Sequence, residues 1–331
     1  MKSDLLEVKN LKTFFATEAG TLKAVNDVSF KVRKGETVCV VGESGCGKSI
    51  TAMSIMGLVT KDNSINEGGE IIFEGKDLLK ASENEIRSIR GKEIAMIFQE
   101  PMSSLNPVFT IGFQVMEPLI LHEGLNKKEA RQKGIDLLNQ VGIPRAEKIM
   151  DSYPHELSGG MRQRVMIAMA LACNPKVLIA DEPTTALDVT IQAQILDLMR
   201  NIKEEFNTSI LLITHDLGVV AEMADYVVVM YAGKVVEEGP VLEIFKQPSH
   251  PYTIGLLKSK PVILKRQEEL YSIPGQVPNP VGIKDSCYFC DRCDRSMDIC
   301  QNNIPNLKLV GENHKVACWL FDEDLPKEES R

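Results

Sequence analysis

The stretch Gly42–Ser49, GESGCGKS, constrains the fold of this chain more than any other part of it. It fits the pattern G-x-x-x-x-G-K-[ST], follows the apolar segment ETVCVV and precedes the apolar segment ITAMSIMGLV. A strand, a glycine-rich loop and a helix in this order let backbone N–H groups at a helix N-terminus converge on phosphate oxygens. The sequence therefore predicts a phosphate loop that holds a nucleotide.

Two pairs of residues are candidates for the chemistry at this loop. Lys48 is placed to reach the β- and γ-phosphates, and the Ser49 hydroxyl is placed to ligate magnesium. A later apolar segment, VLIADEP, ends in Asp181 and Glu182. Asp181 is the natural outer ligand of the magnesium ion, and Glu182 is placed to polarise the attacking water. The remaining loop residues are expected to contact the nucleotide as well: Gly42, Glu43, Ser44, Gly45, Cys46 and Gly47.

The pattern of apolar residues predicts an α/β fold. The segments KVLIADEP and SILLITHD contain continuous apolar runs, which a parallel sheet covered on both faces requires. The segment TIQAQILDLMRNIKEEF between them supplies a helical crossover. Two short alternating segments near the start are expected to be strands, and the charged stretch NKKEARQKGIDLLNQVGI indicates a helical insert. We therefore expect a nucleotide-binding domain with a helical subdomain at about residues 100–165.

Composition limits the partners of this chain. At 331 residues, 44% hydrophobic and 25% charged, it has the make-up of a soluble globular protein of about two domains. The net charge of −8 argues against nucleic acid as the main ligand. The start, MKSDLLEVKN, lacks the apolar stretch of a secretory signal, and the longest apolar run is Val165–Cys173. We therefore expect a reducing cytosol, where disulfides rarely persist.

The segment LSGGMRQR, at Leu157–Arg164, makes the prediction specific. Together with the phosphate loop and the carboxylate pair, it resembles the signature of ABC-type ATPases. In that family two subunits meet head to tail, and the signature of one covers the γ-phosphate held by the other. The resemblance implies that Ser158, Gly159 and Gly160 act on the partner's nucleotide, that the cofactors are ATP and Mg²⁺, and that the protein is an ATPase.

The same resemblance assigns further site residues. Gln99 in MIFQEP matches the glutamine that senses magnesium and the γ-phosphate, Asp188 in TALD lies in the interface loop, and His215 in LLITHD lies at the γ-phosphate. An aromatic side chain near the first strands usually stacks on adenine in this family. Phe14 and Phe15 are both candidates; the spacing favours Phe15, and core packing is the alternative for either ring.

Over almost its full length the sequence resembles the ATP-binding subunits of bacterial oligopeptide and dipeptide importers. The segments that carry this resemblance include FQEPMSSLNPVFTIG, YPHELSGGMRQR, HPYTIGLL and IPGQVPNP. It implies an ATPase that powers the import of di- and oligopeptides from the cytoplasmic face of the cell membrane. The implied partners are a second, related ATPase chain, two membrane permease subunits and an extracytoplasmic peptide-binding protein, with no nucleic acid.

Three alternatives to peptide import are open. Nickel importers share much of the pattern, so another small solute is one alternative. A soluble ABC ATPase of translation or DNA repair is a second, but members of the first kind generally carry two ATPase units and those of the second a long coiled-coil insert. This chain has one phosphate loop and one signature. An exporter subunit is the third, which the proline-rich and cysteine-rich ending disfavours.

The C-terminal part differs in composition from the rest. Six of the sixteen prolines fall between Pro248 and Pro280, and five of the eight cysteines follow within residues 287–318. We therefore divide the chain into an ATPase domain, residues 1–245, and a C-terminal extension, residues 246–331. A reducing compartment disfavours a disulfide knot there and leaves a metal site or free thiols.

The family resemblance suggests what the cysteines bind. Cys287, Cys293, Cys300 and Cys318 match the four cysteines of the family's extension, which is thought to hold a 4Fe-4S cluster on four thiolates. Zinc is the alternative, because CYFCDRC also offers closely spaced thiolates through Cys290. Cys290 is then either a bystander or a substitute ligand. Either metal would be structural, since a small tail buries too little surface to fold alone.

Overall fold

The strands in the described residues form two sheets. The computed structural model describes residues 3–59, 64–100, 104–185, 187–259 and 271–322. The strands are β1 (Asp4–Thr17), β2 (Gly20–Arg33), β3 (Thr37–Val41), β4 (Ser64–Phe73), β5 (Lys76–Asp77), β6 (Ile94–Ile97), β7 (Val177–Asp181), β8 (Ser209–Ile213), β9 (Tyr226–Tyr231), β10 (Lys234–Pro240), β11 (Lys308–Gly311) and β12 (His314–Val316).

The larger sheet contains the predicted parallel strands. Its order is β11-β12-β10-β9-β3-β8-β7-β6, and the five strands from β9 to β6 are parallel to one another. Every residue of β3, β7 and β8 is buried, as their continuous apolar runs predict. Alternate side chains of β3 enter two different cores: Val38 and Val40 one, Cys39 and Val41 the other. The predicted α/β fold is thereby confirmed.

Helices cover the sheet between and around its strands. They are α1 (Lys48–Ile55), α2 (Glu83–Ile89), α3 (Ile111–Glu123), α4 (Lys127–Gln140), α5 (Ala146–Ile149), α6 (Gly159–Leu171), α7 (Val189–Phe206), α8 (Leu217–Met223), α9 (Val241–Lys246), α10 (Pro251–Lys258) and α11 (Asp298–Asn302). No helix in the described part of the chain combines the length and apolarity that crossing a bilayer requires.

The smaller, antiparallel sheet covers one face of the larger one. Its order is β2-β1-β4-β5. Leu6, Leu11 and Val28 from this sheet share a core with Val38 and Val40 of β3, and α1 adds apolar side chains to the same core. The other face of the larger sheet packs on α6, α7 and α8. The fold therefore has three layers: the smaller sheet with α1, the larger sheet, and helices α6 to α8. The phosphate loop follows the carboxyl end of β3, between this strand and α1.

The helical subdomain is made by α3 to α6. A capping box at Asn126 and Glu129 begins α4, and the Thr110 hydroxyl caps α3. Gly112 lets α3 approach the segment after α5, because a Cβ there would lie 2.6 Å from the Met150 carbonyl oxygen. These helices span residues 111–171, whereas the predicted range was about 100–165. Helix α6 runs past residue 165 to Leu171 because its apolar side continues into the core of the large sheet.

The C-terminal extension is built into the large sheet. The β11–β12 hairpin pairs with β10, with Glu237 opposite Val316. The proposed boundary at residue 245 marks a change in composition, but the sheet itself runs across it. The carboxylate of Glu237 is fully buried and accepts hydrogen bonds from Ser249 N (2.6 Å) and His250 N (2.9 Å). It also contacts His314 Nε2 at 2.8 Å, so one side chain joins β10, β12 and the start of α10.

We expect Glu237→Ala to destabilise the protein and loosen the extension. The change leaves two backbone N–H groups and an imidazole without their acceptor, and each buried donor left unsatisfied costs about 1–3 kcal/mol. Chemical denaturation measures the loss, and limited proteolysis shows whether residues 271–322 are cut first. Glu312→Ala, an exposed glutamate in the turn of the same hairpin, is the control and should shift stability by less than about 0.5 kcal/mol. Equal effects of the two changes would contradict the role of Glu237.

Candidate active site

The phosphate loop requires glycine for two physical reasons. Gly42 and Gly47 have φ values of 153° and 97°, which L side chains rarely adopt. A Cβ on Gly42 would lie 2.2 Å from the Met230 carbonyl oxygen, and one on Gly47 would lie 2.3 Å from the Ala24 carbonyl oxygen. Carbonyl oxygens of β9 and β2 therefore leave no space for a side chain at these two positions. Steric contacts thus restrict the backbone conformation of the loop without a ligand.

The side chain of Lys48 turns back toward the start of the phosphate loop. Its side chain is buried, and its Nζ donates to the carbonyl oxygens of Gly42 (2.8 Å) and Glu43 (3.1 Å). The ammonium thus lies at the N-terminus of α1, where its charge and the helix dipole act on the same anion. Ser44 and Gly45 form the exposed tip of the loop, and Cys46 is buried beneath it.

Glu43, which is expected to contact the nucleotide, makes two contacts with the C-terminal extension. Its N–H donates to the Tyr252 hydroxyl at 2.8 Å, so it is already used within the protein. Its carboxylate is paired with Arg292. Sequence reasoning missed both partners because they belong to the C-terminal extension.

Asp181 fits a magnesium site. It ends β7, is buried, and its Oδ1 has no hydrogen-bond partner among the described residues. Burial, and next the charge of Glu182, raise the pKa of Asp181, whereas the Ser49 hydroxyl and Lys48 act to lower it. A buried carboxylate oxygen without a partner, beside a hydroxyl, belongs to the oxygen ligand set that Mg²⁺ prefers. Asp181 and Ser49 are therefore the residues that would hold the ion.

Glu182 is held by three donors at the end of the same strand. Its carboxylate contacts the Thr185 hydroxyl at 2.8 Å, Gln99 Nε2 at 3.0 Å and His215 Nδ1 at 3.2 Å. Its backbone adopts a left-handed φ of 45°, and its N–H donates to the Ile213 carbonyl oxygen at 2.8 Å. Residues from three strand ends thus meet at one carboxylate. Such strain in a residue other than glycine is typical of functional positions.

The environment of Glu182 keeps its side chain ionised. Burial acts to raise the pKa of this carboxyl group, but the hydrogen bonds from Thr185 and His215 and the charges of His215 and Lys48 outweigh it. The pKa therefore lies below its ordinary value, and the group is a carboxylate at neutral pH. Thr185 was missed from the sequence; the signal was a hydroxyl three residues after Glu182, within reach of a strand-end carboxylate.

The signature residues lie at the start of α6. The Ser158 hydroxyl caps the helix by accepting from Met161 N at 3.3 Å, and Ser158 and Gly159 are exposed. A Cβ on Gly160 would meet Ile191 of α7 at 3.2 Å, whereas one on Gly159 would meet nothing within 4 Å. Packing against Ile191 therefore accounts for a glycine at position 160, whereas packing within the chain does not account for a glycine at position 159.

The remaining predicted residues are Asp188 and the two candidate aromatic residues, Phe14 and Phe15. Asp188 is exposed and caps α7 by accepting from Ile191 N at 2.9 Å. Phe14 is buried in β1, whereas the next residue, Phe15, keeps part of its surface exposed. Phe15 is thus the ring with surface left for a ligand, and its stacking on adenine stays a prediction.

The cysteines of the extension lie near one another but do not form a metal-ligand group. Cys287 N donates to the Cys300 carbonyl oxygen at 2.8 Å. Burial raises the pKa of the Cys287 thiol to about 12, with smaller contributions from Cys300, Cys290 and Cys318. Across the five described ranges, no three Cys, His, Asp or Glu side chains are arranged to hold a metal ion. The Cys290 thiol faces Asp291, and the iron–sulfur and zinc alternatives stay predictions.

Comparison with known proteins agrees with this geometry. Residues 25–185 match the family model described as ABC transporter, and residues 236–300 match the oligopeptide/dipeptide transporter C-terminal region. The oligopeptide transport ATP-binding protein AppD of Bacillus subtilis is 57% identical, with 97% of this chain and 98% of that protein covered. The oligopeptide transport ATP-binding protein OppD of Salmonella typhimurium is 51% identical, with 97% and 95% covered.

Among solved structures, the chain is similar to a dimeric ATP-binding cassette in a post-hydrolysis state bound to ADP and phosphate. The TM-score is 0.65 and the identity 28%, with 72% of this chain and 99% of that chain covered. The phosphate loop, the carboxylate pair and the C-terminal region therefore all point to the same family. The chain belongs to the ATP-binding subunits of ABC transporters of the oligopeptide and dipeptide type.

Proposed function

We propose that this protein hydrolyses ATP to power the import of di- and oligopeptides across the cell membrane. The observation that carries the hydrolytic part is the Glu182 carboxylate, held by Thr185, Gln99 and His215 next to Asp181. Peptides are supported as the transported solute because the similarity to oligopeptide transport proteins covers the extension as well as the ATPase domain. Import of nickel or of another small solute is the alternative outcome of the transport test below.

The residues of the site divide the work as follows. Lys48 and the N-terminus of α1 bind the β- and γ-phosphates. Asp181 and Ser49 would hold Mg²⁺, which supplies charge neutralisation at the phosphate oxygens. Glu182 orients and polarises the attacking water, and Gln99 and His215 hold that carboxylate in place. Phe15 stacks on adenine.

We infer that the active unit is a head-to-tail pair. Ser158 and Gly159 are exposed, no hydrogen bond in the described part of the chain joins them to residues 42–49, and packing within the chain leaves Gly159 unexplained. A partner subunit whose nucleotide they cover accounts for all three observations. That partner is a second, related chain, with Asp188 in the shared interface. The pair docks on two permease subunits at the cytoplasmic face and receives peptides through an extracytoplasmic binding protein.

Replacing Glu182 by Gln should separate binding from turnover. The amide keeps the size of the side chain and leaves the phosphate contacts intact, but it cannot accept a proton, so turnover should fall by about 10²–10⁴. Calorimetric ATP binding should change little, whereas Lys48→Ala should abolish binding. Phosphate release by the assembled transporter measures turnover. A Glu182→Gln protein with wild-type turnover would remove Glu182 from the mechanism.

Uptake tests the transported solute. Cells whose transporter carries Glu182→Gln should fail to accumulate a labelled tripeptide, because import stops without hydrolysis, and should accumulate nickel as the wild type does. Loss of nickel uptake with intact peptide uptake would favour the small-solute alternative. That result would leave the assignment of ATP hydrolysis to this protein unchanged.

Replacing Thr185 by Val should shift the pH dependence of turnover. The Thr185 hydroxyl helps to lower the pKa of Glu182, so its loss raises that pKa. Because the carboxylate is the active form, turnover is lost as pH falls through this pKa, and the acid limb of the kcat profile should move to higher pH. Thr184→Val, one residue earlier, is the control and should leave the limb in place. An unmoved limb in the Thr185 variant would show that this hydroxyl does not tune Glu182.

We further propose that Cys287, Cys293, Cys300 and Cys318 hold a 4Fe-4S cluster. The hydrogen bond from Cys287 N to the Cys300 carbonyl oxygen and the proximity of Cys318 to Cys287 support it. Residues 236–300, which match the family's C-terminal model, include the first three of these cysteines. Protein purified without oxygen should be brown and carry about four iron atoms. Cys290→Ser should keep the colour, whereas Cys293→Ser should lose it. Colourless protein with one zinc, released by Cys290→Ser, would favour zinc.

A further inference from the structure

The C-terminal extension makes a direct ionic contact with the phosphate loop. Arg292 ends a 3-10 turn, Cys290–Arg292, and its side chain is 5% exposed. Its Nη1 and Nη2 donate to the two carboxylate oxygens of Glu43, at 2.7 and 3.2 Å. The two residues are 249 positions apart in the sequence. The contact is a two-pronged pair of the kind that arginine forms and lysine cannot.

The guanidinium is fixed from the extension's side. Arg292 Nε donates to the Pro274 carbonyl oxygen at 2.8 Å, and Nη2 donates to the Ile273 carbonyl oxygen at 3.3 Å. Nη1 also donates to the Tyr231 hydroxyl at 3.3 Å. The extension thus presents a charge of fixed position, and the carboxylate of Glu43 adopts the orientation that meets it.

A second contact reaches the same loop residue. The fully buried Tyr252 accepts the Glu43 backbone N–H, and its ring packs on Tyr231 and Phe289 with centroids 4.7 and 5.5 Å away. Phe289 comes from the segment that carries Arg292. Main chain and side chain of Glu43 are therefore both held by residues outside the ATPase motifs.

The contact between Arg292 and Glu43 affects nucleotide binding through the charge of the Glu43 carboxylate. Glu43 belongs to a loop whose N–H groups and Lys48 attract an anion, and a free carboxylate there would repel it. Arg292 both neutralises this carboxylate and turns it toward the extension. We propose that Arg292 is a positioning residue of the nucleotide site, through which the C-terminal extension sets the affinity of the phosphate loop for ATP. This inference rests on the proposed binding of ATP at the loop.

A double-mutant cycle tests the proposal through ATP binding to the full chain. Arg292→Ala should raise the Kd for ATP about tenfold, because it leaves Glu43 uncompensated. In a Glu43→Gln background, the same change should cost less than about twofold, since no charge remains to be neutralised. The loss should shrink as salt is raised, and kcat at saturating ATP should change little while KM follows Kd. Arg295→Ala, an exposed arginine of the same segment, is the matched control.

Two results would overturn the inference. One is an unchanged Kd in Arg292→Ala; the other is an equal loss in both backgrounds, which would mean that Arg292 only supports the fold. If Arg292→Ala does not fold, Arg292→Lys is measured in the same cycle, where it should lose less affinity in the Glu43→Gln background than beside the native Glu43. A wild-type protein that binds no ATP would instead contradict the proposed function, whereas ATP binding that ignores Arg292 contradicts only this inference.

Discussion

Burial of strand β3 on both faces is the constraint on which the rest of the structure depends. Val38 and Val40 point into one core and Cys39 and Val41 into the other, so neither side of the strand can face water. Two layers must therefore cover it: the antiparallel sheet with α1 on one side, and α6, α7 and α8 on the other. Because β7 and β8 lie parallel to it, their carboxyl ends meet the phosphate loop at one edge.

Acidic and basic side chains lie close together at that edge of the sheet. Asp181 keeps a buried oxygen without a partner among the described residues, and Glu182 at the next position has three donors. The two carboxylates are neighbours in the chain, yet their pKa values move in opposite directions, up for Asp181 and down for Glu182. Different surroundings of this kind assign different roles to paired carboxylates, which supports the proposed roles of Asp181 as a cation ligand and of Glu182 as a base.

Local patterns predicted the parts of this protein that local chemistry determines. The patterns that indicated the loop at residues 42–49, the carboxylates after β7 and a helical insert each depend on residues close in sequence. Contacts between distant residues were not predictable. Glu237 meets His314 across 77 positions and Glu43 meets Arg292 across 249, and a single sequence contains no pairing signal for either. For the same reason, the pairing of β12 with β10, which joins the extension to the ATPase domain, could not be predicted.

The separation of Glu43 from Arg292 also has a consequence for how the protein is made. At about 5–20 residues per second, a ribosome needs roughly 10–50 s to add the 249 positions between them. Throughout that interval the nascent chain contains a phosphate loop whose carboxylate lacks its arginine. A product released between residues 216 and 291 therefore contains every ATPase motif but lacks this contact. The Glu43–Arg292 contact therefore forms only after every ATPase motif of the chain has been synthesised.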